Sequence, residues 1–246
     1  MIRDRRLGHG VHTSEARPDS LADRNRRLAA YLRKWESGYQ SASRQEAWQR
    51  EAQPTFLKKQ GLLPHHVFLD LGFGYLRGTI DLIDYLDAGH FYGLDISRAN
   101  IQKATERASE QCRHKPTLAV SGLSQIAQTW PNARFDFVLA ASLFTHLWPT
   151  DLEDCLQKIS RLLTGRFYAT IFKDNTVAVY DGWCGSCVNH KTGHSWTSIR
   201  RWLNRRNLNF CYNTAWIEKV AKRSSLRVSE IGSSDIGQFM LEISPP

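Results

Sequence analysis

Two acids and two glycines, Asp70, Gly72, Gly74 and Asp95, are the residues of this sequence best suited to hold a ligand. Asp70 closes the apolar run Val67-Phe68-Leu69, and Asp95 closes the run Phe91-Tyr92-Gly93-Leu94. Between them the glycines allow a sharp bend and the close approach of a ligand where a Cβ would otherwise stand. An acid at the carboxyl end of the next strand can accept hydrogen bonds from both hydroxyls of a ribose. The spacing therefore predicts a site for a nucleoside-bearing cofactor. Two departures from the dinucleotide fingerprint bear on its chemistry: the third glycine position is Arg77, and Asp70 stands at the mouth of the turn. A carboxylate there repels a pyrophosphate and attracts an ammonium or sulfonium cation.

Other residues could do chemistry as well. His146 follows the apolar run Phe135-Asp136-Phe137-Val138-Leu139-Ala140 by six residues, and a neutral imidazole there could take a proton from a hydroxyl or amine. It could equally cap its loop or pack on Trp148. Cys184, Cys187, His190 and His194 supply zinc-ligand types, but within eleven residues, far tighter than the usual finger. No metal is expected, and the same segment could serve as a substrate loop. Cys155 falls on an apolar helical stripe with Leu152, Leu156, Ile159 and Leu163, which makes it a small core residue.

The elements that must position these residues are read from periodicity. Val67 to Asp70 is a strand, then a helix carries Leu76, Ile80, Ile83 and Leu86, and Phe91 to Asp95 is the next strand. Ser97 and Asn100 open a helix that ends before Pro116, and Thr117 to Val120 is a third strand. Phe135 to Ala141 is apolar enough to be buried on both faces of a parallel sheet. Thr150-Asp151-Leu152-Glu153 reads as a capping box. Gly165 to Phe172 is a fifth strand, 173–196 an irregular loop, 197–206 and 214–224 helical, and Val228–Ile231 with Gln238–Ile243 a closing pair of strands.

Before this unit, residues 1–18 have no apolar period and predict a flexible arm, and 19–61 predict a helical cap. Leu21, Leu28, Leu32 and Trp35 lie on one face, a second helix spans Ser43 to Gln53, and Pro54 starts a third. Trp35, Tyr39, Trp48 and Phe56 could form an aromatic lid or pack as ordinary core. Tyr39, beside Gly38, is the best candidate for contact with substrate.

Asp70-Leu71-Gly72-Phe73-Gly74 followed by Gly93-Leu94-Asp95-Ile96-Ser97 resembles the cofactor half of a class I S-adenosylmethionine-dependent methyltransferase. Phe135 to Ala140 and Ser142-Leu143-Phe144-Thr145-His146-Leu147 resemble that family's fourth strand and the loop after it. The resemblance implies an α/β fold with a doubly wound, mostly parallel sheet over residues 62–246. It implies S-adenosyl-L-methionine as cofactor, whose sulfonium and ammonium suit Asp70. Contacts are implied for Asp70, Gly72, Gly74, Asp95, Ile96, Ser121, Gly122, Leu123, Ala140 and Ser142. Ser121 stands where the family usually offers an acid or small polar residue to the adenine amino group, and can give only a neutral, weaker hydrogen bond.

Composition narrows the classes. With 41% hydrophobic and 11% aromatic residues, the 246-residue chain can bury a full core and is not of disordered type. The absence of a long apolar run and the early Arg3, Arg5 and Arg6 predict a cytoplasmic protein without a membrane span. Five scattered cysteines predict free thiols.

The formal charge of +9 is uneven, with +6 on residues 1–60, −1 on 61–172 and +4 on 173–246. Basic flanks suit an anionic small molecule or a nucleic acid, although arginine-rich helices also serve simply as solvated faces. Ala140-Ala141-Ser142-Leu143 stands where an Asn-Pro-Pro-Tyr type sequence would mark methylation of an exocyclic amine. The expected activity is thus methyl transfer to an oxygen or nitrogen of a small or medium-sized metabolite. An RNA methyltransferase and a non-catalytic cofactor-binding protein are the alternatives.

Overall fold

The computed structural model describes residues 43–175, 180–181, 210–233 and 238–246. The arm at 1–18, the helix with Trp35, Tyr39, the set Cys184, Cys187, His190 and His194, and the helical stretch 197–206 lie outside them.

Five parallel strands form the centre, β1 (Phe68–Leu71), β2 (Phe91–Asp95), β3 (Thr117–Val120), β4 (Phe135–Ala140) and β5 (Leu163–Lys173), in the order β3-β2-β1-β4-β5. Two further strands pair at the end of β5, β6 (Tyr180–Asp181) on β7 (Cys211–Tyr212). The hairpin β8 (Arg227–Ser233) and β9 (Phe239–Ser244) closes the sheet, with β9 antiparallel to β5.

Central strands read as unbroken apolar runs because both faces are covered. On one face Phe68, Phe91, Phe137, Leu139 and Tyr168 pack with α1 (Ser43–Lys59), α2 (Ile80–Tyr85) and α3 (Arg98–Gln111) through Leu57, Ile80, Ile83 and Ala104. On the other Leu69, Leu71, Val138, Ala140, Phe167 and Ala169 pack with α4 (Ile126–Thr129), α5 (Pro149–Ile159) and α6 (Thr214–Arg223) through Ile126, Leu156 and Ile217. Helices on both faces of a mostly parallel sheet make the domain doubly wound. Each fully buried Leu or Phe contributes about 1.5–3 kcal/mol to holding the layers together.

Several local readings are corrected. The helix break expected at Pro54 is absent, and α1 runs through it. An interior proline removes one hydrogen bond at a cost of about 3 kcal/mol. Burial and pairing on both sides offset it: Arg50 holds Asp81 at 2.5 Å before the proline, and Phe56 meets Tyr168 edge-on after it. Phe56 is thereby part of the packing on the sheet rather than of a lid.

The helix after the glycine turn is only six residues long. Leu76 is buried with φ of 62°, a left-handed conformation that a helix cannot include, so the helix starts later, at Ile80. The capping box at Thr150 does not form either. Pro149 occupies the first turn, where its missing N–H costs nothing, and Trp148 precedes it without a side-chain cap. The 173–196 segment is not wholly irregular, since Lys173 ends β5 and Tyr180–Asp181 pairs with β7. Free thiols hold for Cys112 and Cys155, whereas Cys211 is disulfide-bonded.

The junction of β4 and β5 has a bulge, two β5 residues facing Asp136 alone. A Cβ on Gly165 would lie 2.2 Å from the Asp136 carbonyl oxygen, a backbone atom that cannot swing away. Gly165→Ala is expected to lower stability by about 1–3 kcal/mol, read as a lower denaturant midpoint at unchanged slope.

Candidate cofactor and transfer site

The carboxyl ends of β1, β2, β3 and β4 meet at one edge, and this brings together most of the residues singled out from sequence. Asp70 lies in register with Gly93 on one side and Leu139 on the other. Its carboxylate is 4% exposed and accepts a 2.6 Å hydrogen bond from the Thr79 hydroxyl at the start of α2. Burial raises its pKa to about 7; the Thr79 bond opposes the shift and the Asp95 charge adds to it. The two acids singled out from sequence are thus both buried, and the Asp95 charge acts on Asp70.

Asp95 is also buried, and burial raises its pKa, opposed by donors from the Ser97, Gly74 and Ile96 backbones and the Asn100 side chain. One oxygen accepts from Gly74 N–H at 2.9 Å, the other from Ser97 N–H at 2.8 Å and Asn100 Nδ2 at 3.3 Å. These bonds join the glycine turn to the start of α3, where the Ser97 hydroxyl accepts from Asn100 N–H as the N-cap.

Both glycines adopt left-handed φ, 67° at Gly72 and 61° at Gly74, for different reasons. A Cβ on Gly72 would meet Leu143 Cδ1 at 2.9 Å, whereas one on Gly74 would meet nothing within 4 Å. The open side of the turn is thus at Gly74, beside Asp95. Two buried carboxylates next to an open backbone cradle fit a ligand carrying cations and hydroxyls and repel one carrying phosphates.

At the end of β3, Ser121 N–H reaches the Asp95 carbonyl, and the Ser121 hydroxyl accepts from Thr129 at 3.0 Å. Gly122 and Leu123 follow as the start of a 3-10 turn. After β4 the chain turns at Ser142, with φ of 57°, into a second 3-10 turn holding His146. His146 is half-buried, and its N–H bonds the Leu143 carbonyl at 2.9 Å. β7 and the residue before it hold the same loop: Phe210 N–H donates to the Thr145 carbonyl at 2.8 Å and the Tyr212 hydroxyl donates to the Leu147 carbonyl.

Residues 68–165 match a family described as a methyltransferase domain. The match runs from the first residue of β1 to the bulge in β5, and so contains both acids and both glycines. Residues 68–165 therefore carry a methyltransferase domain. The same architecture occurs in magnesium protoporphyrin IX methyltransferase (ChlM) of Synechocystis PCC 6803 with bound S-adenosylhomocysteine, at 17% identity and a TM-score of 0.57, covering 94% of this chain and 90% of that one.

The glycopeptide N-methyltransferase MtfA complexed with S-adenosylmethionine is similar at 13% identity and a TM-score of 0.58, covering 80% of this chain and 94% of that one. An S-adenosylmethionine-dependent methyltransferase of Clostridium acetobutylicum ATCC 824 is similar at 13% identity and a TM-score of 0.57, covering 90% and 98%. S-adenosylmethionine, the ligand bound in MtfA, carries the cations and the ribose that this site suits. No helix among the described residues is long and apolar enough to cross a membrane.

The structure adds residues that sequence reading missed. Thr79, Thr145, Thr170 and Gln238 are buried polar groups bonded to the site's own residues. Thr170 had one visible signal, being the sole hydroxyl in the inner run Ala169-Thr170-Ile171-Phe172. Phe210 and Tyr212 had only the short apolar run between Asn209 and Asn213.

Proposed function

We propose that the enzyme methylates an oxygen or nitrogen of a small or medium-sized metabolite. The observation that carries this reading is the loop after β4. Ala140-Ala141-Ser142-Leu143 turns through a left-handed serine, is clasped by β5, residues 210–212 and the residue before β9, and lacks the Asn-Pro-Pro-Tyr sequence that marks methylation of an exocyclic amine. Two structural relatives named above, a porphyrin and a glycopeptide methyltransferase, support the same class of acceptor.

Asp95 holds the ribose hydroxyls, Asp70 faces the cationic end, Gly72, Gly74 and Ile96 line the turn, and Ser121, Gly122 and Leu123 border the adenine. Ala140 and Ser142 border the methyl group, Tyr39 contributes to the acceptor side, and an anionic acceptor would suit the basic flanks. As the acceptor's lone pair bonds to the methyl carbon, the carbon–sulfur bond breaks and its electron pair stays on sulfur. The acceptor's proton leaves to His146 or to water.

Labelled S-adenosylmethionine incubated with the protein and a cell extract tests the reading, with label expected in the small-molecule fraction. Label in RNA, at a rate falling steeply with salt, would support the RNA alternative instead.

His146→Ala is expected to leave affinity for S-adenosylhomocysteine and the unfolding midpoint unchanged. Turnover should fall by roughly tenfold, below the usual range for a general base, because the sulfonium is already activated and alignment supplies much of the rate. Comparing calorimetry with initial rates checks this; a matching fall in stability would show that the ring serves packing.

A further inference from the structure

Ser142 is held in a conformation that serine rarely adopts. Its φ of 57° costs roughly 1–2 kcal/mol relative to ordinary backbone, and such a residue persists only where its surroundings over-determine it. Three buried side chains do so, one on each hydrogen-bonding group of the residue. Ser142 N–H donates to Thr170 Oγ1 at 2.6 Å, the Ser142 hydroxyl donates to Gln238 Oε1 at 3.1 Å, and Thr145 Oγ1 donates to the Ser142 carbonyl at 2.8 Å. Thr145, Thr170 and Gln238 are 1%, 6% and 6% exposed.

The three come from different parts of the fold: the loop's own 3-10 turn, β5 and the residue preceding β9. Thr170 lies one residue beyond Ala169, which pairs with Ala140 at the last position of β4, so it stands where the chain leaves the sheet. The direction of that exit sets the path of the loop. Leu143 comes to rest against Gly72, so near that a Cβ there would stand 2.9 Å away, and His146 is carried to the same edge.

We propose that Thr170 and Gln238 are positioning residues of methyl transfer, which act by fixing Ser142 in its left-handed turn and so aim the loop bearing Leu143 and His146 at the cofactor's glycine turn. The inference rests on the reading of this loop as a wall of the transfer site. The bonds are local and pre-formed, so they align the loop before the acceptor arrives, and in methyl transfer alignment supplies much of the rate.

Thr170→Val keeps the shape and burial of the side chain but removes the oxygen; Thr170→Ser keeps the oxygen. In Thr170→Val, amide hydrogen exchange at residues 141–147 is expected to speed up by roughly 3- to 10-fold, the factor for one lost hydrogen bond. Transfer of label from S-adenosylmethionine to the small-molecule fraction of a cell extract should slow by a similar factor, while the Kd for S-adenosylhomocysteine stays within about threefold. Thr170→Ser should restore both.

In a Ser142→Gly background, where a left-handed backbone is free of strain, Thr170→Val should have a much smaller effect on exchange. Unchanged exchange at 141–147, or an acceleration spread evenly over the whole sheet, overturns the proposal. Exchange and calorimetry need no acceptor, so they decide it even if no small molecule is labelled, a result that would instead defeat the proposed acceptor class.

Discussion

Asp95→Ala is expected to weaken binding of S-adenosylhomocysteine by roughly 1–3 kcal/mol, about 5- to 150-fold in Kd. In the proposed placement two ribose hydroxyls would lose a charged acceptor, and a second loss would accompany it. The same carboxylate accepts from Gly74 N–H, Ser97 N–H and Asn100 Nδ2 and so ties the glycine turn to α3. Without it those donors lack a partner and the open side of the turn at Gly74 loses its anchor. Asp95→Asn is expected to be little better, because turning its amide nitrogen toward either Gly74 or Ser97 sets donor against donor. Calorimetry measures the affinity, and a Kd equal to that of the unaltered enzyme in both variants would remove Asp95 from the cofactor site.

The cofactor-free enzyme should lose stability between about pH 4 and pH 7 because of Asp70 and recover it when that residue is asparagine. The carboxyl has its pKa raised from 3.8 to about 7, by burial first, with the Asp95 charge adding and the Thr79 hydroxyl opposing. A raised pKa means that the native state holds a proton which the unfolded chain has already released. The contribution is therefore neutral below the unfolded value, grows as a penalty while pH rises toward the folded value, and is constant above it. A shift of this size amounts to on the order of 4 kcal/mol.

Ligand binding runs the other way. The cationic end of the cofactor favours the carboxylate, so affinity should rise with pH up to about 7 and then level, with a proton released on binding below that point. Asp70→Asn retains an acceptor for Thr79, so it should be the more stable protein at pH 8 without cofactor and the weaker binder at the same pH. Denaturant unfolding and calorimetry between pH 5 and pH 8 test both halves. Parallel stability curves for the two proteins across that range would show that Asp70 does not titrate there.

What the sequence determined by itself was the order of the elements and the gathering of polar residues at one edge of the sheet. Strands buried on both faces must be apolar throughout, so Phe68–Leu71, Phe91–Asp95 and Phe135–Ala140 stand out from their surroundings, and polar residues at their carboxyl ends are conspicuous. Asp70, Gly72, Gly74 and Asp95 were legible for that reason, since they lie within one strand-turn-strand unit whose geometry is local.

The tertiary structure decided what depends on residues distant in the chain. Local propensity breaks a helix at Pro54, but the contacts of Arg50 with Asp81 and of Phe56 with Tyr168 carry α1 through it. A capping pattern at Thr150 yields to Pro149, whose fixed φ suits a first turn. Cys211 is recruited into a disulfide that scattered spacing does not announce. The clasp on Ser142 joins residues 28 and 96 positions away, and no period or motif encodes such a meeting. A polar residue within an apolar run shows that a partner must exist, because an unpaired buried group costs about 1–3 kcal/mol, but only the folded sheet shows which partner it is.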